Sequence, residues 1–451
     1  MNPAGRCVLL CLLALPAAAQ TEPVSAQGSI PGATKAVADR YDAAIARLSG
    51  TGERRALAQK SVADLKAIAK SHSSEPRVHH WLGVALRMAG KLDDARHEQD
   101  EALRLAPGLY DAHLEIGRIM RLEGTEDEAI PSFRKAAEIN PLALEAFVEI
   151  GRLELRRGKY AEASAAVAEG LAAAPDNNEL NALGSLLYGT RAAFAACAEP
   201  AAIDTDHFHV ATNSTKFQAE KLGVHLERIH ELFEEALPDI KPDGRRIGVV
   251  LFDSADQFKA CGLPEGVAGV YFPGLQTLFL AWNPAEQDML IVVYHEAFHA
   301  FLDYALQGAP HWINEGLADY FGAFKWDDKS GQFLHRVNWW RLDNIQDMFR
   351  ANLTTRLEKF LTAPGMYGKN AALNYAQAWS LIWFMKKYKA GKYSMTLRFY
   401  FQALLRGESL EQAYQKSFGK LDMDAFQAEW STFTLEAQKP IGAAAVPGLH
   451  K

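Results

Sequence analysis

Cysteine is scarce in this chain. Four stand in 451 residues, and two of them, Cys7 and Cys11, fall within the first twenty. That count and spacing exclude a cysteine-ligated metal site and a multi-disulfide scaffold. The other two, Cys197 and Cys261, are compatible with one disulfide or with two buried thiols. Long apolar runs are lacking too. The stretch Cys7–Leu15 is well short of the ~20 residues that span a bilayer, and no other run is long and apolar enough. A positive excess is also absent. The formal net charge is −7, which gives no basic surface for nucleic acid or an anionic membrane.

The N-terminal "MNPAGRCVLLCLLALPAAAQ" has Arg6, a short apolar core and then Ala17, Ala18 and Ala19. This is the pattern of an export signal over residues 1–19, cleaved near Ala19, and it implies a periplasmic or secreted protein. Residues 20–35, rich in Ala, Gly, Pro and Ser, read as a flexible lead-in.

A self-similar region follows. Gly83, Gly117 and Gly151 are 34 residues apart, and Ala95, Ala129 and Ala163 keep that step, as do Pro107, Pro141 and Pro175. Ala102, Ala136 and Gly170 complete the frame. Small residues let two antiparallel helices approach, and proline stops the second. This period resembles the tetratricopeptide repeat, with clear units over 76–177 inside a helical region of 36–196. The resemblance implies a stacked α-solenoid whose groove binds a protein partner or a peptide.

From about residue 205 the pattern changes to strands followed by helices, which indicates an α+β region over 205–436 and a loose tail over 437–451. "HFHVATNST" alternates like a strand, 214–236 has helical spacing, and "RIGVVLF" reads as a buried strand. Ser254 is placed to cap a short helix. "VAGVYFPGLQTLFLAW" reads as two strands joined through Pro273 and Gly274, with Thr277–Trp282 expected at the sheet edge. Everything after residue 310 is expected to be mainly helical.

Within "IVVYHEAFHAFLDY" stands His295-Glu296-Ala297-Phe298-His299, an HExxH motif. On a helix the two imidazoles share a face and can converge on one zinc ion, while Glu296 reaches a water beside it. Zinc needs a third protein ligand and an open position. "PHWINEGLADYFG" offers Glu315 as that ligand, with Asp319 one turn on to accept a ligand histidine's N–H. The rival ligand is His311, which lacks the following pattern of a metzincin. Asp303 shares the face of His299 and is expected in a cap or loop role.

HExxH followed by "NEGLADYFG" resembles the gluzincin metallopeptidases, and among them the bacterial peptidase-MA-like families that often follow tetratricopeptide repeats. The resemblance implies a zincin-like α+β fold with a helical C-terminal lobe. It implies His295, His299 and Glu315 as ligands of one zinc ion, Glu296 as general base and Asp319 as the orienting acid. It also points to Tyr375, in "NYAQAWSLIWFM", as the oxyanion donor, ahead of His335 and Tyr367. Two features depart from the related aminopeptidases. Glu315 follows His299 by only 16 residues, and the Gly-x-Met-Glu-Asn stretch that grips a free amine is missing. The second departure favours cutting inside a peptide or protein chain. The alternative expectation is a non-catalytic envelope adapter with a structural or degenerate metal site, for which Glu296 would have no use.

Overall fold

The computed structural model describes residues 30–48, 54–242, 244–264, 266–282, 289–306, 308–363 and 371–438. The expected export signal, most of the lead-in, residues 439–451 and Tyr367 lie outside the described residues. Among the described residues no helix is long and apolar enough to cross a membrane.

The chain is mainly helical, with an N-terminal solenoid followed by an α+β region. The solenoid pairs α1 (Lys35–Leu48) with α2 (Arg54–Ser71), and α3 (Pro76–Met88) with α4 (Leu92–Leu105). It continues with α5 (Tyr110–Leu122) against α6 (Glu126–Ile139), and α7 (Leu144–Arg156) against α8 (Tyr160–Ala173). A closing helix, α9 (Asn178–Ala195), ends the stack. The small-residue frame lies where the helices of a pair cross. Ala95, Ala129 and Ala163 are fully buried, and a Cβ on Gly117 would sit 2.7 Å from the Phe133 ring. Gly117→Val is therefore expected to destabilise the array. Overpacking costs about 1–3 kcal/mol, and a thermal melt reads it as a lower Tm.

A second 34-residue pattern, not extracted from the sequence, runs along the first helix of each pair. Arg118 reaches Glu115 at 2.7 Å and Glu145 at 2.5 Å, and Arg152 repeats this with Glu149 at 3.1 Å and Glu179 at 2.5 Å. Arg87 pairs with Glu115, and Arg121 faces Glu149 at 3.5 Å. Burial pushes the Glu115 and Glu149 carboxyls up, but the flanking guanidiniums outweigh it and hold both below the ordinary range. A carboxyl depressed on folding adds stability that is fully present above its unfolded pKa and is lost on acidification. The array is accordingly expected to lose stability as pH falls below the ordinary glutamate value of 4.5. Thermal melts from neutral to acid pH check this, with Glu115→Gln reducing the slope.

The α+β region opens with β1 (Ala201–Asp204), β2 (Phe208–Thr212) and α10 (Lys216–Ala236). Next come β3 (Ile247–Phe252), α11 (Ala255–Ala260), β4 (Gly269–Phe272) and β5 (Thr277–Ala281). Ser254 caps α11 through the Gln257 amide, as expected. The sheet order is β1-β2-β3-β5-β4. The strands β2, β3 and β5 run parallel, and β1 and β4 close the edges antiparallel. The expected edge strand is thus corrected. Thr277–Ala281 lies inside the sheet, and Gly269–Phe272 forms its edge. All five residues of β5 are buried, which suits an interior place beside the equally buried β3.

Period-two alternation explains how the sheet joins two cores. Ile247, Val249, Leu251, Leu278 and Leu280 face the core that holds α10 and the helices after β5. Their neighbours Val250, Phe252, Phe279 and Ala281 face the core built by the later repeats, with Leu183 and Leu187 of α9. The repeat array is therefore packed directly against one face of the sheet.

Beyond the sheet run α12 (Met289–Asp303), α13 (His311–Gly322) and a hairpin of β6 (Phe324–Asp327) with β7 (Gln332–His335). This hairpin interrupts the otherwise helical C-terminal part expected from the sequence. There follow α14 (Trp339–Arg350), α15 (Leu357–Thr362), α16 (Ala371–Lys387), α17 (Ser394–Leu405), α18 (Leu410–Ser417) and α19 (Met423–Glu436). Cys197 and Cys261 form no disulfide, and Cys261 is buried beside Thr190.

Candidate functional site

Helix α12 is buried along almost its whole length, so its polar groups must find partners inside the protein. His295 and His299 are four residues apart and project from one face. Their rings meet edge-on, with centroids 4.7 Å apart and planes at 87°. The two Nε2 atoms are 3.1 Å apart. Helix α13 opens just after Pro310, as expected, and brings Glu315 into the same space. One Glu315 oxygen lies 3.4 Å from His295 Nε2 and 3.6 Å from His299 Nε2.

The far side of each ring decides what the near side can do. His295 Nδ1 lies 3.1 Å from Asp319 Oδ1. Burial alone pushes the Asp319 carboxyl up. The Arg341 charge and the His295 bond outweigh it and leave it below the usual carboxylate range. Arg341 Nε donates to Asp319 Oδ2 at 2.7 Å, and both groups are buried. An ionised carboxylate only accepts, so His295 must carry its proton on Nδ1. His299 Nδ1 is likewise matched to Asn314 Oδ1 at 2.9 Å. Both Nε2 atoms thus present lone pairs, and a carboxylate oxygen joins them. Three acceptors within 3.6 Å of one another repel unless a proton or a metal cation sits among them. His295, His299 and Glu315 are the residues that could hold a metal ion.

Glu296 points elsewhere on the helix surface. Its carboxylate accepts the Tyr271 backbone N–H of edge strand β4 at 2.8 Å. The close approach needs Gly269, where a Cβ would lie 2.7 Å from Val292 and 3.4 Å from Glu296 Cγ. Asp303, expected in a cap or loop role, is the last residue of α12. It accepts the Tyr271 hydroxyl at 3.1 Å.

Tyr375, on α16, borders the cluster from the side of Arg341. The Arg341 guanidinium lies 5.2 Å from its ring centroid, and the His311 ring meets it edge-on at 5.2 Å. His311 Nε2 is 3.9 Å from the other Glu315 oxygen, not the one nearest His295 and His299, so His311 flanks the carboxylate rather than joining the three. His335 is packed among aromatics, 4.4 Å from the Tyr320 ring and 4.8 Å from Phe324. Burial, helped by Lys387, pushes it down to about 3, which suits a neutral core residue.

Residues 290–402, which include all of these groups except Gly269 and Tyr271, match a family described as a protein of unknown function, DUF1570. Residues 54–110 and 120–187 match tetratricopeptide-repeat families. The N-terminal helices are tetratricopeptide repeats, which supports a protein-interaction role for them. No curated protein matches the chain. Similar solved structures include MamA, at 23% identity over 26% of this chain and 68% of that one, with a TM-score of 0.25. A thermophilic tetratricopeptide-repeat protein of Thermus thermophilus is 21% identical over 34% of this chain and 81% of that one, with a TM-score of 0.30. An O-GlcNAc transferase of Thermobaculum terrenum is 18% identical over 51% of this chain and 41% of that one, with a TM-score of 0.23.

Three participants escaped the sequence reading. Asn314 stands beside Glu315 in the sequence, and the need of His299 for an Nδ1 acceptor could have singled it out. Arg341 lies 22 residues beyond Asp319 with no periodic link to it. The Tyr271 contribution is a backbone amide, which carries no sequence signal.

A second group, His207, His230 and Glu234, also gathers possible ligand atoms. Its imidazoles are stacked, with centroids 3.8 Å apart and planes only 18° from parallel. Lone pairs lie in the ring planes, so those of two stacked rings do not converge on one ion. Of these two groups among the described residues, the His295 pair has the crossed geometry.

Proposed function

We propose that this chain is an exported, zinc-dependent peptidase that cuts inside peptide chains, with the tetratricopeptide array engaging substrate or a protein partner. The observation that carries the reading is the convergence of His295, His299 and Glu315, both imidazoles being fixed with Nε2 toward the carboxylate. The donor separations of 3.1, 3.4 and 3.6 Å bracket the edge of a tetrahedron, about 3.3–3.4 Å for ligand bonds of about 2.0–2.1 Å. Two imidazoles and one carboxylate are also a donor set that zinc accepts while keeping a position open.

Zinc held there supplies a Lewis acid that polarises a scissile carbonyl and acidifies a water. The chain's own groups supply the rest. Glu296 takes the proton of the attacking water and passes it to the leaving amine. Tyr375 offers its hydroxyl to the developing oxyanion. Asp319 and Asn314 hold the two ligand rings, and Arg341 keeps Asp319 ionised. Strand β4, at the sheet edge, offers backbone groups on which an extended substrate can add as a further strand, beyond the Tyr271 N–H already given to Glu296.

Protein loaded with zinc and offered a mixture of unfolded proteins is expected to cleave them, to stop on chelation and to resume when zinc is returned. No cleavage across many unfolded substrates would leave the adapter reading in its place. Asn314→Ala frees the His299 ring and is expected to weaken zinc binding about 10–100-fold, read by titration against a competing chelator.

A further inference from the structure

The turn between β4 and β5 does not stand free. Its residue Leu275 is buried in the core shared with the repeats. A Cβ on Gly274 would lie 3.6 Å from the Arg152 guanidinium of α7. Arg156, the last residue of α7, is buried and donates to the side chain of Gln276 and to Glu126. It passes close over β3, where a Cβ on Gly248 would come 2.8 Å from Arg156 Cγ. The Gln276 carbonyl in turn accepts the Gly248 amide at 3.0 Å. Gln276 itself adopts φ 50°, a left-handed conformation in which glycine or asparagine is the easier choice. The chain keeps a long side chain in a strained place, and that side chain is spent on Arg156.

The same hairpin carries the group that holds Glu296. Gln276 leads into Thr277, which pairs with Phe272, and the adjacent Tyr271 gives its amide to Glu296 at 2.8 Å. The strand β4 is therefore fixed at its turn by the repeat array and at its middle by α12, through Glu296 and Asp303.

We propose that Arg156 of the repeat array is a positioning residue for Glu296. It acts by fixing Gln276 and, through the hairpin, the Tyr271 amide. The role of Glu296 as the base rests on the peptidase reading, whereas the mechanical link does not. By this link the end of the tetratricopeptide array sets the geometry of the candidate site without touching it.

The test compares full-length wild type, Arg156→Ala, Gln276→Ala and the double variant by hydrogen–deuterium exchange and by cleavage. Each single variant is expected to raise exchange of residues 269–272 severalfold and to leave bound zinc unchanged. It should lower kcat with KM little altered, since only the placement of a reacting group is disturbed. The double variant should not exceed Arg156→Ala, because the Gln276 side chain has already lost its partner there. Where Arg156→Ala fails to fold for want of a partner to Glu126, Gln276→Ala carries the test alone. Unchanged exchange over 269–272 in Gln276→Ala, or effects that add in the double variant, would overturn the proposal. If wild type cleaves nothing, the peptidase reading fails, while the exchange measurement still decides the link.

Discussion

Glu296→Gln is expected to bind zinc as wild type does and to lose about a hundred- to ten-thousand-fold in cleavage rate. The two expectations come from different parts of the geometry. Glu296 is not among the three groups that converge. Its carboxylate turns to the edge strand and accepts the Tyr271 amide. Glutamine is isosteric and its carbonyl oxygen can still accept that amide, so fold and ligand positions should survive. What glutamine cannot do is take a proton from water. Zinc content by elemental analysis and turnover on unfolded protein, measured on the same preparations, separate the two effects. Equal cleavage by the variant would remove Glu296 from the mechanism.

Asp319→Ala is expected to be the most damaging change to the cluster as a whole. Arg341 is only 2% exposed, and its Nε donates to Asp319 at 2.7 Å. Removing the carboxylate leaves a buried guanidinium without its counter-ion, and breaking such a pair costs about 3–5 kcal/mol. His295 simultaneously loses the acceptor that fixes its tautomer, which lowers metal affinity by about 10–100-fold. Denaturant unfolding reads the first effect, and chelator competition reads the second. Asp319→Asn separates them further. The amide oxygen can still face Arg341 or His295, yet without charge, so its loss of stability should be smaller. An Asp319→Ala variant with wild-type stability and wild-type zinc affinity would mean that the buried triad of His295, Asp319 and Arg341 is incidental.

The parts legible in the sequence are those set by local periodicity. The 34-residue step of Gly117 and its counterparts marks helix crossings, and spacing of four puts His295 and His299 on one helix face. Pro310 marks the start of the helix bearing Glu315 and Asp319 for the same reason. The parts not legible depend on what the chain brings together over long separations. The edge place of β4 follows from pairing of two fully buried strands, β3 and β5, which a run of apolar residues does not order. The hold of Arg341 on Asp319 and of Arg156 on Gln276 joins residues 22 and 120 positions apart. Each is an ordinary arginine until the fold buries it.

The measurement closest to the central claim is the zinc content of the purified full-length protein after metal loading and removal of excess metal. Wild type is expected to retain one zinc ion per chain, and His299→Ala and Glu315→Ala to lose it on the same treatment. Wild type that retains no zinc, or variants that retain as much as wild type, would contradict the assignment of His295, His299 and Glu315 as a metal site.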